Sequence, residues 1–366
     1  MSNQKKYTSI HYASYLELDK ILNAQHPRSA ELGKEAHEET LFIIIHQVYE
    51  LWFKQMMHEL DSVMEMFRSL NVDEKNIDEA VLRLERINEI LRLLTQQIKV
   101  LETMTPIDFL EFRAYLFPAS GFQSFQFRCF EVKLGLKIEK RIAYTPYKYY
   151  HEFTPVEQET IVALESKEGL FDLIQSWLER TPFIDMKDFD FKTKYLSAVE
   201  RMLQREADAI QSSEYLNPHE KEMRLKMNGD VGTFFVNIFN EEYHNQLIAE
   251  GRIRLSYRAT IAALMIQLYS TEPLLQLPSR LIHTLIEMDE LLTNWRYRHA
   301  QMVMRMLGRK SGTGGSSGYD YLMETVKKHQ VFIDFHNIST LMIPRSDIPE
   351  LPDELKRTLG FSFTQR

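Results

Sequence analysis

Two histidines stand out because each sits in an apolar stripe of a strongly periodic segment. In "TLFIIIHQVYELWFKQMMHELDSVMEMFRSL" (40–70), Phe42, His46, Tyr49 and Phe53 are three or four residues apart and so share one helical face. In "LLTNWRYRHAQMVMRML" (291–307), Leu292, Trp295, His299 and Val303 (or Met302) form a second stripe. Arg296, Arg298, Arg305 and Arg309 surround it on other faces. An imidazole in such a wall is a polar group that needs a partner. The ordinary partner is a backbone carbonyl in a packed core, and spacing alone leaves that reading open for both residues. The chemical reading of His299 is an axial ligand, since a neutral imidazole on an apolar helical face can hold haem iron. Nearby arginines would suit the haem propionates.

Three further features could carry chemistry. Arg113, in "FLEFRAYLFPAS", lies among Phe109, Phe112 and Phe117 just before a break in the periodic pattern. It is either a snorkelling surface cation or a clamp for a carboxylate. "EEYH" (241–244) is one Glu-x-x-His, the half-motif of di-iron bundles, but no second copy accompanies it. No Cys pair or His-Glu-x-x-His offers a zinc site. Finally, "SGTGGSSGYDY" (311–321) holds four of the chain's 13 glycines. It lacks the Gly-Lys-Ser/Thr of a phosphate loop, and no strand precedes it as in a dinucleotide-binding turn. A linker or a mobile lid remains. Thr313, with Tyr319 and Tyr321 following at once, suits a loop that docks on a ligand.

The elements that must position these residues read as helices throughout. Strand signals are nearly absent, while apolar residues recur at three- and four-residue steps over 40–70, 77–104, 194–212, 253–270 and 281–308. Thr40 is the expected N-cap of the first, and Pro106 is expected to end the second. Residues 116–124 and 144–155 break the pattern, and 213–232 is polar, with turn signals at Asn217-Pro218 and Asn228-Gly229. The expected fold is all-α: a bundle of long helices enclosing a pocket, in one domain over 1–366, with 145–235 a smaller helical elaboration.

Bulk composition narrows the class. The 366 residues are 44% hydrophobic, enough for a large core, and 44 basic against 52 acidic side chains leave a net charge of −8. That balance argues against nucleic acid or an anionic membrane as partner. The single cysteine, Cys129, permits no internal disulfide and points to a reducing, cytoplasmic setting. The polar start "MSNQKKYTSIHY" does not read as a signal peptide, and "LFIII" and "IAALMI" are too short to span a bilayer.

Taken in order, "YASYLELDKILNAQ", "HEETLFIIIHQVYELWFKQ", "LETMTPIDFLEFRAYLFPASGFQSFQFR", "WLERTP", "RLSYRATIAALMI", "WRYRHAQMVMRMLGRKSGTGGSSGYDYL" and "NISTLMIPR" resemble the tryptophan 2,3-dioxygenase family over about residues 12–350. Residues 213–232 match least, and the length resembles the longer, animal-like members more than the compact bacterial ones. The resemblance implies one haem b per subunit, ferrous when active. It also implies insertion of both atoms of O2 across the indole C2–C3 bond of L-tryptophan to give N-formyl-L-kynurenine, and a homotetramer built as a dimer of dimers.

By position, the resemblance makes His299 the axial iron ligand and His46 the distal histidine that accepts the indole N–H. Phe42 would pack on the indole and Arg113 would clamp the substrate carboxylate. Thr313 would contact the amino-acid end, Ser120 would lie near haem and carboxylate, and Phe109 would line the pocket. Tyr12 and Tyr15, within the N-terminal segment 1–39, would enter the pocket of a neighbouring subunit. Two other readings stand beside this one: a haem-dependent oxygenase for another indole, and a non-catalytic haem-binding helical protein.

Overall fold

The structure, a computed structural model, describes residues 8–69, 71–143, 147–182, 189–310 and 318–360. It is all-α, with no strand among the described residues. Three short helices, α1 (Tyr12–Tyr15), α2 (Leu18–Leu22) and α3 (Arg28–Glu31), lead into the long α4 (His37–Arg68) and α5 (Glu74–Leu101). The short α6 (Pro106–Arg113) and two 3-10 turns connect to α7 (Phe125–Leu134). Then come α8 (Pro155–Glu165), α9 (Leu170–Glu179), α10 (Phe191–Ser212), α11 (Pro218–Ile238), α12 (Glu241–Ala249) and α13 (Tyr257–Leu268). The 35-residue α14 (Pro273–Leu307) runs about 52 Å at the standard helical rise. It is followed by α15 (Gly318–Lys328), α16 (Ile333–Asn337) and α17 (Asp353–Leu359).

Three helix boundaries differ from the sequence expectation, each for a local reason. Thr40 is not the N-cap of α4, which starts at His37 after Ala36. There the Glu39 carboxylate accepts from the backbone N–H of Arg28 and Ser29 (2.8 and 2.9 Å), and Ser29 Oγ accepts from Ala36 N (2.9 Å). Glu39, in the first turn of α4, thus caps the start of α3, while Ser29 satisfies the N–H of Ala36, so the two helix starts are tied to each other. Pro106 does not end α5, which stops at Leu101; it opens α6 at the first helical position, behind a Thr105–Asp108 capping box. Asn217-Pro218 is likewise a helix start rather than a turn, with Asn217 and Glu220 capping α11 reciprocally. Asn228-Gly229 lies inside α11: Asn228 Nδ2 reaches Glu206 on α10 (3.1 Å), and one turn on, Gly232 lets Leu203 come within 3.1 Å of where a Cβ would stand.

The core is built by α4, α5 and α14. Met56, Leu60 and Val63 on α4, Leu84 and Ile87 on α5, and Leu285 and Leu292 on α14 are completely buried. The i, i+3, i+4 stripes legible in the sequence meet along these helices. Within 145–235, Phe171 and Ile174 of α9 join this same core, as do Phe191 and Tyr195 at the start of α10. The C-terminal segment is fastened by buried carboxylates. Asp289 on α14 accepts from the N–H of Val331 and Phe332 (2.9 and 2.7 Å), and Asp334 accepts from those of Arg254 and Leu255. This holds α15 against α14, where it becomes one wall of the site. If α5 is the spine of the core, Leu84→Ala costs about 2–5 kcal/mol of unfolding free energy in urea titrations. Leu82→Ala, at a position 49% exposed two residues away, should cost less than about 1 kcal/mol.

Candidate active site

The two histidine stripes face each other. Trp295 of α14 lies against Tyr49 and Phe53 of α4, at ring-centroid distances of 6.3 and 6.5 Å. One turn further along each helix, His299 and His46 line a single cavity of about 290 Å³. The cavity opens where two apolar clusters part. Trp295 and Phe127 belong to the main core, while Phe42, Phe112, Met104 and Met306 form a smaller cluster on the other side. Each stripe is therefore core at one end and pocket wall at the other, so both readings of its spacing apply to different residues.

His46 is both satisfied and available. Its Nδ1 lies 2.6 Å from the Phe42 carbonyl oxygen. A carbonyl can only accept, so Nδ1 carries the proton and Nε2 keeps its lone pair. Burial lowers the pKa of the imidazole, with the Phe42 carbonyl and the Glu50 carboxylate partly offsetting the effect. The ring is accessible and borders the cavity. Phe42 packs beside it, ring centroids 4.2 Å apart.

His299 stacks on Trp295 at 5.5 Å and 27° and has no hydrogen-bond partner among the described residues. Burial, then the neighbouring His46, push its pKa down to about 4, so it is a neutral donor at physiological pH. Beneath it the buried Trp295 Nε1 faces the Tyr49 hydroxyl, which is pushed up to about 12 by burial and donates to the Leu94 carbonyl.

The remaining candidates divide. Arg113, the last residue of α6, and Phe109, one turn earlier, both line the cavity. Of the aromatics around Arg113 in sequence, Phe112 is fully buried against Phe42, but Phe117 is 71% exposed and turned away. Ser120 lines the cavity and caps the following 3-10 turn, its Oγ accepting from Phe122 N. Tyr12 and Tyr15 on α1 are each 70% exposed and do not border this cavity. Thr313 and the rest of 311–317 lie outside the described residues. Of the four arginines around the His299 stripe, only Arg296 lines the cavity; Arg298 instead pairs with Glu102 (3.0 Å).

Sequence reasoning missed the charge cluster at the far wall. The buried Glu131 carboxylate meets Arg128 at 2.9 Å, Arg141 at 2.7 Å and Arg296 at 2.9 Å, with His329 at 4.0 Å. Burial alone would raise the Glu131 pKa, but the three guanidinium groups overrule it and hold it well below the carboxylate range. Burial brings His329 to about 4, leaving the cluster a surplus of two positive charges. Only the Arg128–Glu131 spacing, three apart on one helix, was readable; the other partners arrive from distant segments.

A metal site can be tested on the donor set. His244 of "EEYH" is buried with Nε2 bonded to the Leu255 carbonyl, while Glu241 and Glu242 are exposed. Among the described residues no three His, Cys, Asp or Glu side chains gather as ligands. A single neutral, unpartnered imidazole in an apolar slot fits an iron whose other ligands come with it in a macrocycle, and so fits haem.

Comparison with known proteins places the chain in a family. The sequence model of the family described as tryptophan 2,3-dioxygenase matches residues 1–342. A tryptophan 2,3-dioxygenase of Bdellovibrio bacteriovorus is 48% identical over 98% of this chain and 100% of its own length. Similar proteins of that name include one from Dictyostelium discoideum, 43% identical over 99% of this chain and 90% of its own. Tryptophan 2,3-dioxygenase B of Danio rerio is 44% identical over 95% and 86%. The bacterial relative is matched over its whole length, so chain length does not set this protein with animal members, contrary to the sequence expectation. The chain belongs to the tryptophan 2,3-dioxygenase family.

Proposed function

We propose that the chain catalyses insertion of both atoms of O2 into the C2–C3 bond of L-tryptophan, giving N-formyl-L-kynurenine, with haem b held through His299. The observation that carries this reading is one cavity bordered by His299, His46, Phe42, Phe109, Arg113 and Ser120. The haem would supply the oxygen chemistry; the protein's part is to bind, orient and shield. Arg128 and Arg296, with their surplus positive charge beside the cavity, suit the acidic edge of that group.

The substrate's indole N–H would donate to His46 Nε2, the nitrogen left free by the Phe42 carbonyl. An indole N–H is hardly acidic, so His46 selects and orients rather than abstracts a proton. Phe42 and Phe109 would flank the ring, and Arg113 would take the carboxylate in a two-point pair. Thr313 would contact the amino-acid end from a lid over 311–318, closing out water. Fixing ring and carboxylate together presents C2 and C3 in one orientation, a proximity effect. An oxygenase for a simple indole would have no use for Arg113, and a non-catalytic haem protein no use for the distal acceptor.

Assembly and location follow the same reading. A homotetramer, as a dimer of dimers, would place the exposed Tyr12 and Tyr15 in a neighbour's pocket. No helix among the described residues is long and apolar enough to cross a membrane, and Cys129 is buried and unpaired; we infer a cytoplasmic enzyme.

Reduction without oxygen, a haem spectrum, then oxygen plus L-tryptophan should yield formylkynurenine; a colourless protein expressed with haem supplied overturns the assignment. Arg113→Lys should raise the KM for L-tryptophan by about tenfold or more while kcat changes less. His46→Ala should lower turnover without abolishing it, and complete loss in haem-loaded protein contradicts an orienting role. The His46 pKa lies below 6.5, so the acceptor form persists as pH falls from 8 to 6.5. kcat/KM at pH 6.5 should therefore keep more than about half of its value at pH 8, with the acid limb displaced below that of a free imidazole.

A further inference from the structure

We propose that Glu50 is a positioning residue that clamps the 119–124 wall of the cavity to the His46 helix and so sets the affinity for tryptophan. This rests on the function proposed above. Glu50 lies on α4 one turn after His46 and does not itself border the cavity. Both of its carboxylate oxygens are used: Oε1 accepts from Ser124 Oγ (2.6 Å) and Oε2 from Gln126 Nε2 (2.9 Å). The same amide also donates to the Glu50 backbone carbonyl (2.9 Å). Hydrogen bonds to an ionised carboxylate are the stronger kind.

The segment they hold is short and carries the site. Ala119, Ser120, Gly121 and Phe122 border the cavity and reach Ser124 through a single 3-10 turn. Inside the turn, Ser120 and Gln123 cap each other, which fixes its shape but not its place on the bundle. The Gln123 side chain points the other way, to Glu152 (3.3 Å). Phe122 also packs on Tyr321 of α15 (5.3 Å) and Phe127 on Phe53 of α4 (5.2 Å), but the polar tie from this segment to α4, the helix bearing His46 and Phe42, is made by Glu50. Losing it leaves the chemical groups intact but lets Ser120 and Phe122 drift from the histidine, which weakens substrate binding more than turnover.

The test uses the haem-loaded enzyme and the variants Glu50→Gln, Ser124→Ala, their combination, and Glu50→Asp. Glu50→Gln and Ser124→Ala should each raise the KM for L-tryptophan by about fivefold, with kcat within about twofold of the parent. The double variant should be no worse than the worse single one, because one contact is removed twice. Glu50→Asp should restore part of the affinity. Amide hydrogen exchange should quicken at 120–126 while the α5 core stays protected. Should Glu50→Gln not fold, Ser124→Ala carries the same expectation with α4 untouched. Unchanged KM in Ser124→Ala, additive effects, or loss of kcat at constant KM overturns the role of Glu50 alone. A wild-type enzyme that forms no formylkynurenine overturns the proposed function, and this proposal with it.

Discussion

A single buried carboxylate, Glu131, answers three guanidinium groups, and the cavity depends on that imbalance. Arg128 comes from the same helix, Arg141 from the segment after it, and Arg296 from α14, one turn before His299. Arg296 also donates to the His329 carbonyl, which ends α15. Three walls are therefore fixed to one point by charge. Desolvated cations without a counterion are costly, so this arrangement tolerates little displacement. Both carboxylate oxygens of Glu131 are engaged, whereas Arg141 Nε and Nη2 are buried without a hydrogen-bond partner.

On the opposite side of the cavity stand Phe42 of α4, Phe109 of α6 and Arg113 at the end of α6, close to the 3-10 turns; both phenylalanines pack against the smaller apolar cluster. On the proposed function the two sides would divide the work, His299 and the arginines beside it holding the cofactor and these three residues the substrate. Gly308 ends α14 with φ +62°. A side chain there would be strained whatever space it had.

Much of this was legible before the fold was known, and the exceptions are instructive. Periodicity revealed α4, α5 and α14 because their buried faces are uniform along their length. It misplaced their ends: α4 starts at His37, ahead of Thr40, and α5 stops at Leu101, before Pro106, which opens the next helix. At Asn228-Gly229 local turn chemistry lost to helix packing against α10. For the site, spacing put His46 and His299 on apolar faces but could not say that the faces oppose one another, which is a property of two helices. The Glu131 cluster was invisible for the same reason: its charges are scattered from Arg128 to His329 and meet only in three dimensions.

The Phe42 carbonyl that holds the His46 proton is part of the main chain, four residues back on the same helix. No substitution of another side chain can withdraw it. The aromatic surface at position 42 can therefore change in size or shape without altering which nitrogen of the neighbouring ring is protonated. On the proposed function, substrate fit and tautomer would be set by separable parts of one residue, so specificity could drift while recognition of a ring N–H stayed constant.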